Sequence, residues 1–417
     1  RDLLKAASTM GARRGQAFFR IYLPLSLPGV TAAALLTFIT SLGFFITPAL
    51  LGSPRESMIA QIILTQIQEL LNWRLAGALS LVLLACALGI FAVYDRVANP
   101  RERARDPGAP VSALRRLRSA LGRRLAAIPG WACDRVAEGW ERLFPPRADR
   151  PPADRGGMAL RVVAGTLIVF LVAPAFVVVP VSFTAGNFIA LPPDGLSLRW
   201  YETYLGSRVW MNATGLSFLV GVVAALLTTL LGTAAAFVLT RQAFPGRRVV
   251  MALFISPLIV PRIVTAVALF YLFARLELVG TVTGLVIGHT VLALPFVVVT
   301  VMAILKSYDI RYDQAAATLG AGPLRTLRHV TLPLLKAGIV SAFLFAFVTS
   351  FDELTVALFI SAGTVTTLPK AMWSDLILQM NPTLAAVSTV ILVMATAIVL
   401  AAEAFQRRAS RHRGASS

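Results

Sequence analysis

The chain has 417 residues, of which 57% are hydrophobic and only 14% charged, and its mean hydropathy is +0.75. Several apolar stretches exceed the ~18 residues that mark a transmembrane helix, so the composition excludes a soluble protein and predicts an integral membrane protein. The formal net charge of +19 does not indicate a nucleic-acid partner, because membrane proteins concentrate Lys and Arg in cytoplasmic loops. Cys86 lies in an apolar run and Cys133 in a basic segment, which indicates no disulfide framework or metal cluster, and we expect no cofactor.

The first 97 residues hold a short basic segment followed by two apolar runs. The segment at 6–29 reads AASTMGARRGQAFFRIYLPLSLPG, and the runs cover residues 30–51 and 75–94. We expect the runs to cross the membrane as two successive helices. The chain begins with Arg1 rather than Met, and we expect its N-terminus to be incomplete.

Residues 98–160 differ from the flanking runs in being rich in arginine and proline. The stretch PPRADRPPADRGG cannot continue a helix, so we interpret the segment as a cytoplasmic linker. Apolar residues recur within it at helical spacing with arginines between them, which predicts an amphipathic helix on anionic lipid headgroups. A solvated linker helix without a specific partner is the alternative. The apolar positions are Leu114, Leu117, Leu121, Leu125 and Ile128.

Six further apolar runs follow the linker and predict a complete six-helix unit over residues 161–408. Connections rich in Arg and Lys are predicted to be cytoplasmic, and connections that are poor in cations and carry Trp and Tyr are predicted to face outward. The linker and the tail at 409–417 are then predicted to be cytoplasmic, in a multi-pass membrane protein. The runs are 162–183, 212–239, 249–273, 281–305, 334–360 and 384–404. The cytoplasmic connections are 240–248 and 306–331, and the outward ones are 184–211 and 361–383.

The basic segment at the start of the chain recurs near its end. Residues 315–338 read AAATLGAGPLRTLRHVTLPLLKAG, and residues 6–97 match 315–406 at a constant offset of 309. Alanines allow close approach to another surface, while Gly11 and Gly320 can adopt the positive φ that turns the chain between two short helices. The repeat therefore predicts two compact cytoplasmic helix-turn-helix segments, each suited to a groove of a partner. An ordinary basic loop between spans is the alternative.

Both segments resemble the EAA loops of permease subunits from binding-protein-dependent ABC importers, in AASTMGA...IYLPLSLPG and AAATLGA...VTLPLLKAG. The six-helix unit resembles the spermidine/putrescine-type branch in LPPDGLSLRWYETYL, LGTAAAFVLTR and TVLALPFVVVTVMAIL. Residues 1–97, with TSLGFFITPALLGSPRESMIA, resemble the end of the companion permease. The resemblance implies an all-α, type I ABC importer permease fold, with two permease domains fused in one chain. Because four helices normally precede such a loop, we expect the first domain to be truncated at its N-terminus.

The resemblance also implies partners. Each EAA-like loop, here Ala6 to Gly15 and Ala315 to Gly322, would seat a coupling helix in a cleft of a cytoplasmic ATPase, and an external binding protein would deliver the solute. The chain has no G-x-x-x-x-G-K-[ST] phosphate loop, so ATP hydrolysis is expected in a separate subunit and the chain is not itself an enzyme. The glutamate that names the motif is replaced by Lys5 and Gln314, so docking is a firmer expectation than a salt bridge to the ATPase. The residues expected in the docking loops are Ala6, Ala7, Gly11, Ala12, Ala315, Ala316, Gly320 and Ala321.

Charged side chains inside membrane spans are costly and therefore mark functional positions. Asp352 and Glu353 fall in the outer half of the fifth helix of the six-helix unit, where they could attract a cationic amine. Arg262 follows Pro257 and Pro261 in the middle of the third helix, where the prolines leave backbone carbonyls free. We expect Arg262 either to pair with one of the two acids or to contact an anionic group of the solute. Pairing with an internal cation, or a position near the outer interface, is the alternative for the acids.

These features favour the membrane-spanning subunit of an ATP-driven importer for a small organic solute, with a polyamine such as spermidine or putrescine as the first choice. Arg262 weakens the polyamine hypothesis, and an amino acid derivative or a ferric or thiamine-like ligand is the alternative solute. An ion-coupled secondary transporter would also have interrupted spans with acids, but it has no ATPase for paired loops to dock. A membrane scaffold or receptor would need none of the charges at positions 262, 352 and 353.

Overall fold

The computed structural model is helical throughout the part of the chain that it describes. Within that part, the β-type pairing consists of one isolated bridge between Thr184 and Leu196. The predicted amphipathic helix of the linker lies outside the described residues. The structure describes residues 2–12, 17–98, 135, 139, 155–189, 191–193, 195–379 and 381–414.

The helices follow one another along the chain with short connections. Up to residue 98 they are α1 (Asp2–Thr9), α2 (Leu23–Leu42), α3 (Ile46–Leu51), α4 (Ile59–Gln68) and α5 (Trp73–Ala98). After the linker they are α6 (Arg155–Ser182), α7 (Arg199–Gly206), α8 (Arg208–Arg241), α9 (Arg247–Ile259), α10 (Arg262–Arg275), α11 (Val282–Ser307), α12 (Arg311–Thr318), α13 (Pro323–Thr326), α14 (Leu332–Phe351), α15 (Thr355–Ile360), α16 (Leu368–Leu378) and α17 (Thr383–Gly414). Two π-helical turns, Phe18–Tyr22 and Leu327–Thr331, lead directly into α2 and α14.

Seven helices among the described residues are long and apolar enough to cross a membrane, and there are eight spans if α9 and α10 together form one. These spans correspond to the eight apolar runs of the sequence. The predicted multi-pass membrane architecture is therefore confirmed, while the internal course of three spans differs from the prediction.

The span at 249–273 is broken in its middle. The sequence predicts one helix there, yet α9 ends at Ile259, α10 begins at Arg262, and the two helices are bent by 107°. Pro261 has no N–H to donate to a preceding carbonyl, and its ring excludes a continuous helix. Arg262 is thus the first residue of a helix and not a residue in the middle of one.

The spans predicted at 30–51 and 334–360 also stop early. α2 ends at Leu42 and α14 at Phe351, and a short helix follows each of them after a break of three residues. In the second case the cause is visible, because Glu353 Oε1 accepts a hydrogen bond from the Val356 N–H at 2.9 Å. This bond satisfies a free N–H in the first turn of α15. Asp352 and Glu353 therefore lie in a helix break and not in the outer half of a helix.

The helices in the two copies of the repeat begin and end at matching positions. α1 and α12, the two π-helical turns, α2 and α14, and α3 and α15 each begin and end 309 residues apart. The turn glycines have φ values of 79° at Gly11 and 82° at Gly320, a left-handed conformation that is costly for residues with a Cβ. The two segments therefore share one backbone plan, although many of their side chains differ.

By contact, the chain divides into two units, Arg1–Ser41 with Ala85–Gly165, and Leu42–Leu84 with Thr166–Ser417. In the first unit Ala7 and Ile39 are buried. In the second unit, helices α8 and α11 pack so closely that a Cβ at Gly232 would lie 2.7 Å from Val297 Cγ1. Small residues at such contacts are what allow membrane helices to approach each other. Two apolar cores of the second unit surround this contact and the breaks described above.

Candidate functional site

The segment between α11 and α14 is a compact helix-turn-helix. α12 ends at Thr318, Gly320 reverses the chain, and the single turn α13 leads into the π-helical turn before α14. Of the alanines expected in the docking loops, the second of each pair is buried and the first is exposed. The buried ones are Ala7 and Ala316, the exposed ones are Ala6 and Ala315, and Ala12 and Ala321 are half-buried. Each pair thus packs one methyl group inside its segment and leaves one at the surface.

Each segment also exposes a large apolar side chain directly before its turn glycine. Met10 is 87% exposed and Leu319 is 88% exposed, and the two occupy equivalent positions of the repeat. Leu324, just beyond the second turn, is 78% exposed. Neighbouring exposed apolar side chains mark a contact surface, and Leu319 and Leu324 lie on the two sides of one turn. The sequence analysis emphasised the alanines and missed these residues, although an apolar residue beside each repeated glycine was the available signal.

Asp313 anchors the second segment to the end of a membrane helix. Its Oδ1 accepts hydrogen bonds from Tyr308 Oη at 2.6 Å and from Thr331 Oγ1 at 2.8 Å. Its Oδ2 lies 2.7 Å from Arg241 Nη1, in the last turn of α8. Burial alone would raise the pKa of Asp313, but the two hydrogen bonds and the Arg241 charge outweigh it and hold the pKa below its ordinary value. Asp313 is therefore a charged anchor that joins α8, α12 and the base of α14.

Sequence reasoning missed this anchor. Arg241 and Asp313 are 72 positions apart in ordinary basic and polar loops, and neither lies inside an apolar run. Burial of the phenol raises the pKa of Tyr308, with the hydrogen bond to Asp313 as a further cause. With its pKa raised above the ordinary value of 10.0, the Tyr308 hydroxyl remains a hydrogen-bond donor at neutral pH.

We expect Asp313→Asn to loosen α12 without altering the membrane helices. A hydrogen bond to a charged group contributes roughly 1.5–3 kcal/mol, so loss of the charge should raise amide exchange in α12 by about tenfold. The measurement is hydrogen–deuterium exchange of the purified chain, corrected for intrinsic rates. Folding lowers the pKa of Asp313 below its ordinary value of 3.8. The difference in amide exchange between Asp313→Asn and wild type therefore persists above pH 3.8 and disappears as the pH falls through the lowered pKa.

The control for this prediction is a double-mutant cycle. Arg241→Gln should give a similar increase, and the double variant should exchange no faster than either single variant, because both changes remove one interaction. Additive increases, or unchanged exchange in Asp313→Asn, would contradict the anchor.

A second polar cluster lies at the helix breaks. Arg262 Nη1 is 3.4 Å from Glu353 Oε2, so the structure pairs the arginine with Glu353 and not with Asp352. The Glu353 side chain is 1% exposed, whereas that of Arg262 is 49% exposed. Asp352, the neighbouring carboxylate, is exposed. The cluster therefore holds one arginine and two acids, and Asp352 is the acid that the Arg262–Glu353 pair leaves at the surface.

The break in the first copy of the repeat meets the same cluster. A Cβ at Gly43 would lie 3.0 Å from Pro261 Cβ and 3.2 Å from Arg262 N, so the backbone at Gly43 packs directly on the break between α9 and α10. Gly43 and Phe44 are the sequence equivalents of Asp352 and Glu353. The breaks of α2, α9 and α14 therefore converge, but the acids come from one copy alone.

Aromatic contacts join the start of α5 to α10. Trp73 stacks on Phe270 with ring centroids 4.0 Å apart, and Tyr271 Oη donates to the Trp73 carbonyl at 2.8 Å. Nearby in the second unit, His289 lies 2.8 Å from Ser350 Oγ through Nδ1. Its buried Nε2 has no hydrogen-bond partner among the described residues, so His289 is satisfied through one ring nitrogen. No group of three or more His, Cys, Asp or Glu side chains in the described part of the chain is arranged to hold a metal.

Comparison with known proteins supplies the family. Residues 1–100 and 228–411 match the family described as "Binding-protein-dependent transport system inner membrane component". The spermidine/putrescine transport system permease protein PotC of Shigella flexneri is 28% identical over 260 residues, covering 62% of this chain and 96% of the relative. The putrescine transport system permease protein PotI of Escherichia coli (strain K12) is 33% identical over 231 residues, covering 54% of this chain and 82% of the relative.

Two solved structures are also similar. One is a bacterial ABC transporter involved in the import of the acidic polysaccharide alginate, with a TM-score of 0.45, 15% identity, and coverage of 62% of this chain and 98% of the other. The second is the MetNI methionine ABC transporter in inward-facing conformations, with a TM-score of 0.40, 19% identity, and coverage of 50% and 97%. The family match includes both copies of the helix-turn-helix segment and the apolar helices that follow them. The chain therefore belongs to the inner-membrane components of binding-protein-dependent transport systems, with the all-helical, multi-pass type I permease fold of an ABC importer.

Proposed function

We propose that this permease imports a cationic solute of the polyamine type, and that a cytoplasmic pair of ATPases drives it through the two helix-turn-helix segments. The names of the similar PotC and PotI proteins support the choice of solute. Residues 1–97 and 161–408 are then segments of two permease domains joined by the linker at 98–160. An external binding protein delivers the solute.

The charge balance of the helix breaks is the observation that carries the choice of solute. Arg262 on its own would repel a cation, which is why the sequence alone weakened the polyamine hypothesis. In the structure Arg262 is paired with Glu353 at 3.4 Å, and the exposed carboxylate of Asp352 remains. The cluster carries one net negative charge, and opposite charge within a few ångströms is favourable where water is scarce. A protonated amine is the complementary group.

The helix-turn-helix segments have the features of docking surfaces. Met10 and Leu319 project from equivalent positions before left-handed glycines, and the buried Ala7 and Ala316 keep each segment compact. An apolar side chain that enters a pocket of a partner is the usual centre of such an interface. The ATPase contact therefore includes the apolar side chain beside each glycine as well as the exposed alanine.

One continuous helix, α14, joins the second docking segment to the charged cluster. α14 begins directly after the π-helical turn and ends at Phe351, next to Asp352. Its 20 residues span ~30 Å at 1.5 Å per residue. The Asp313–Arg241 ion pair and the Asp313–Thr331 hydrogen bond hold the start of this helix to α8. Movement of the docking segment on ATPase closure is thereby transmitted to the position of Asp352 and the Arg262–Glu353 pair.

Uptake of radiolabelled putrescine into proteoliposomes, with the ATPase and binding protein present, tests the solute. Asp352→Asn should lower uptake at sub-saturating putrescine by about tenfold, because it removes a charge-assisted contact. Glu202→Gln is the matched control, since it removes an exposed acid on α7, away from the breaks. Unchanged uptake in Asp352→Asn would refute cation recognition at the cluster. Uptake that continues without ATP and stops when ion gradients collapse would instead favour a secondary transporter.

A further inference from the structure

An open groove lies between the end of α8, the start of α9 and the end of α11, with a volume of about 840 Å³. Its walls include the apolar side chains of Leu239, Met251 and Met302. Leu239 is fully buried and Met302 nearly so, so the floor of the groove is part of the packed core.

Three cations line one part of the same groove. Arg247 and Arg248 come from the first turn of α9, and Lys306 comes from the last turn of α11. All three residues are exposed, and none of them forms an ion pair with another described residue. The groove therefore offers three positive charges that nothing in the described chain neutralises.

Helices α8 and α9, which line the groove, also carry apolar side chains on their exposed surfaces. On α9, Val249 and Leu253 are one turn apart and are 63% and 67% exposed. On α8, Leu231 and Val238 are two turns apart and are 51% and 42% exposed. Both helices belong to membrane spans, where exposed apolar side chains of this kind face lipid chains. A ligand with an anionic group joined to a long apolar part would match both the cations of the groove and the apolar surfaces beside it.

The groove lies at the docking end of the protein. Arg241, which ends α8 two residues before the groove-lining Ala243, is the residue that pairs with Asp313 of the docking segment. Under the proposed function this end is cytoplasmic, and the inference rests on that assignment. Basic pockets between membrane helices on the cytoplasmic side are suited to anionic lipid headgroups.

We propose that the groove binds one anionic phospholipid of the cytoplasmic leaflet. Its phosphate contacts Arg247, Arg248 and Lys306, and an acyl chain lies over Leu239, Met251 and Met302. A zwitterionic lipid carries a cationic group of its own. The three positive charges would repel that group, so such a lipid would bind more weakly. Because the lipid joins the ends of α8, α9 and α11 beside the Asp313 anchor, it also stiffens the support of the second docking segment.

The test is lipid binding to the purified full chain by native mass spectrometry, with palmitoyl-oleoyl phosphatidylglycerol titrated against the matching phosphatidylcholine. Each Lys or Arg near an anionic surface contributes enough that removing three should weaken phosphatidylglycerol binding on the order of 100-fold. The variant is Arg247→Gln, Arg248→Gln and Lys306→Gln together. The matched control neutralises three exposed cations of the docking segment, with Arg311, Arg325 and Arg328 changed to Gln, and should lose less than about threefold.

A charge-preserving variant separates a lost site from a lost fold. Arg247→Lys with Arg248→Lys should retain most of the phosphatidylglycerol binding, because the site needs positive charge more than a forked guanidinium. Equal losses in the groove variant and the control would overturn the proposal, since they would show general attraction to a basic protein. Equal binding of phosphatidylcholine, or displacement of the lipid by soluble glycerol phosphate, would overturn it as well. The assay contains no ATPase, binding protein or solute, so a wrong transport assignment would not change its outcome.

Discussion

Arg262→Gln is expected to destabilise the permease far more than Glu353→Gln, although the two changes break the same ion pair. Loss of Arg262 leaves the Glu353 carboxylate, which is 1% exposed, without its counter-charge. Removing one partner of a buried pair costs roughly 3–5 kcal/mol. Loss of Glu353 leaves an arginine that is 49% exposed and that water can solvate, so we expect about 1 kcal/mol. The measurement is thermal unfolding of the purified chain followed by tryptophan fluorescence.

The double variant Arg262→Gln with Glu353→Gln is the decisive control. It leaves no unpaired charge, and the amide at position 353 can still accept the hydrogen bond from Val356 that begins α15. We therefore expect the double variant to recover most of the stability that Arg262→Gln loses. Equal effects of the two single changes would show that the pair is not buried on the Glu353 side. A double variant as unstable as Arg262→Gln would show that the arginine acts through other contacts.

Gly320→Val is expected to uncouple ATP hydrolysis from transport while leaving membrane insertion intact. Gly320 has a φ of 82°, and a residue with a Cβ in this region costs roughly 1–2 kcal/mol, with more for a β-branched side chain. No atom lies within 4 Å of a Cβ built at this position, so the cost is conformational and not a clash. The turn should reopen and move Leu319 out of the position that the proposed function assigns to docking. We expect stimulation of the ATPase by the loaded binding protein to fall by about tenfold or more.

Gly320→Asn separates backbone conformation from surface contact. Asparagine tolerates the left-handed region better than other residues with a Cβ, and the open space admits its side chain. We expect Gly320→Asn to retain most of the stimulation in the same ATPase assay. If valine left coupling normal, the docking role of the segment would be wrong. If asparagine and valine reduced coupling equally, the partner would contact the protein surface at Gly320 directly, and the conformation of the turn would not explain the effect.

The sequence predicted the number of spans and the repeat but not the breaks. Long apolar runs specify membrane helices through the cost of exposing polar backbone to lipid, and eight runs correspond to eight spans when α9 and α10 are taken together. A run of apolar residues carries no information about where a helix bends. The break after Phe351 depends on the Glu353 side chain bonding to the Val356 N–H, a local contact that hydropathy does not record.

The candidate site was predictable in its residues but not in its partners. Because charges are rare in spans, Arg262 and Glu353 were identified from the sequence, yet the choice between Glu353 and Asp352 required the fold. Asp313 was missed for the opposite reason. It lies among other polar residues of a loop, and only the return of α14 to the end of α8 reveals that it is held by Arg241 and Thr331. Long-range pairing of this kind has no signature in a single sequence.

The polar anchors described above occur in one copy of a backbone plan that is present twice. Leu4, Tyr22 and Phe44 stand where the second copy has Asp313, Thr331 and Glu353. The two segments share their helix bounds, yet charged contacts hold one of them, and the other has apolar or aromatic residues at those three positions. Under the proposed function, we expect a symmetric closure of the two ATPases to move the permease asymmetrically. The second copy of the repeat is held to the membrane helices by polar contacts and should follow its ATPase more closely than the first copy does.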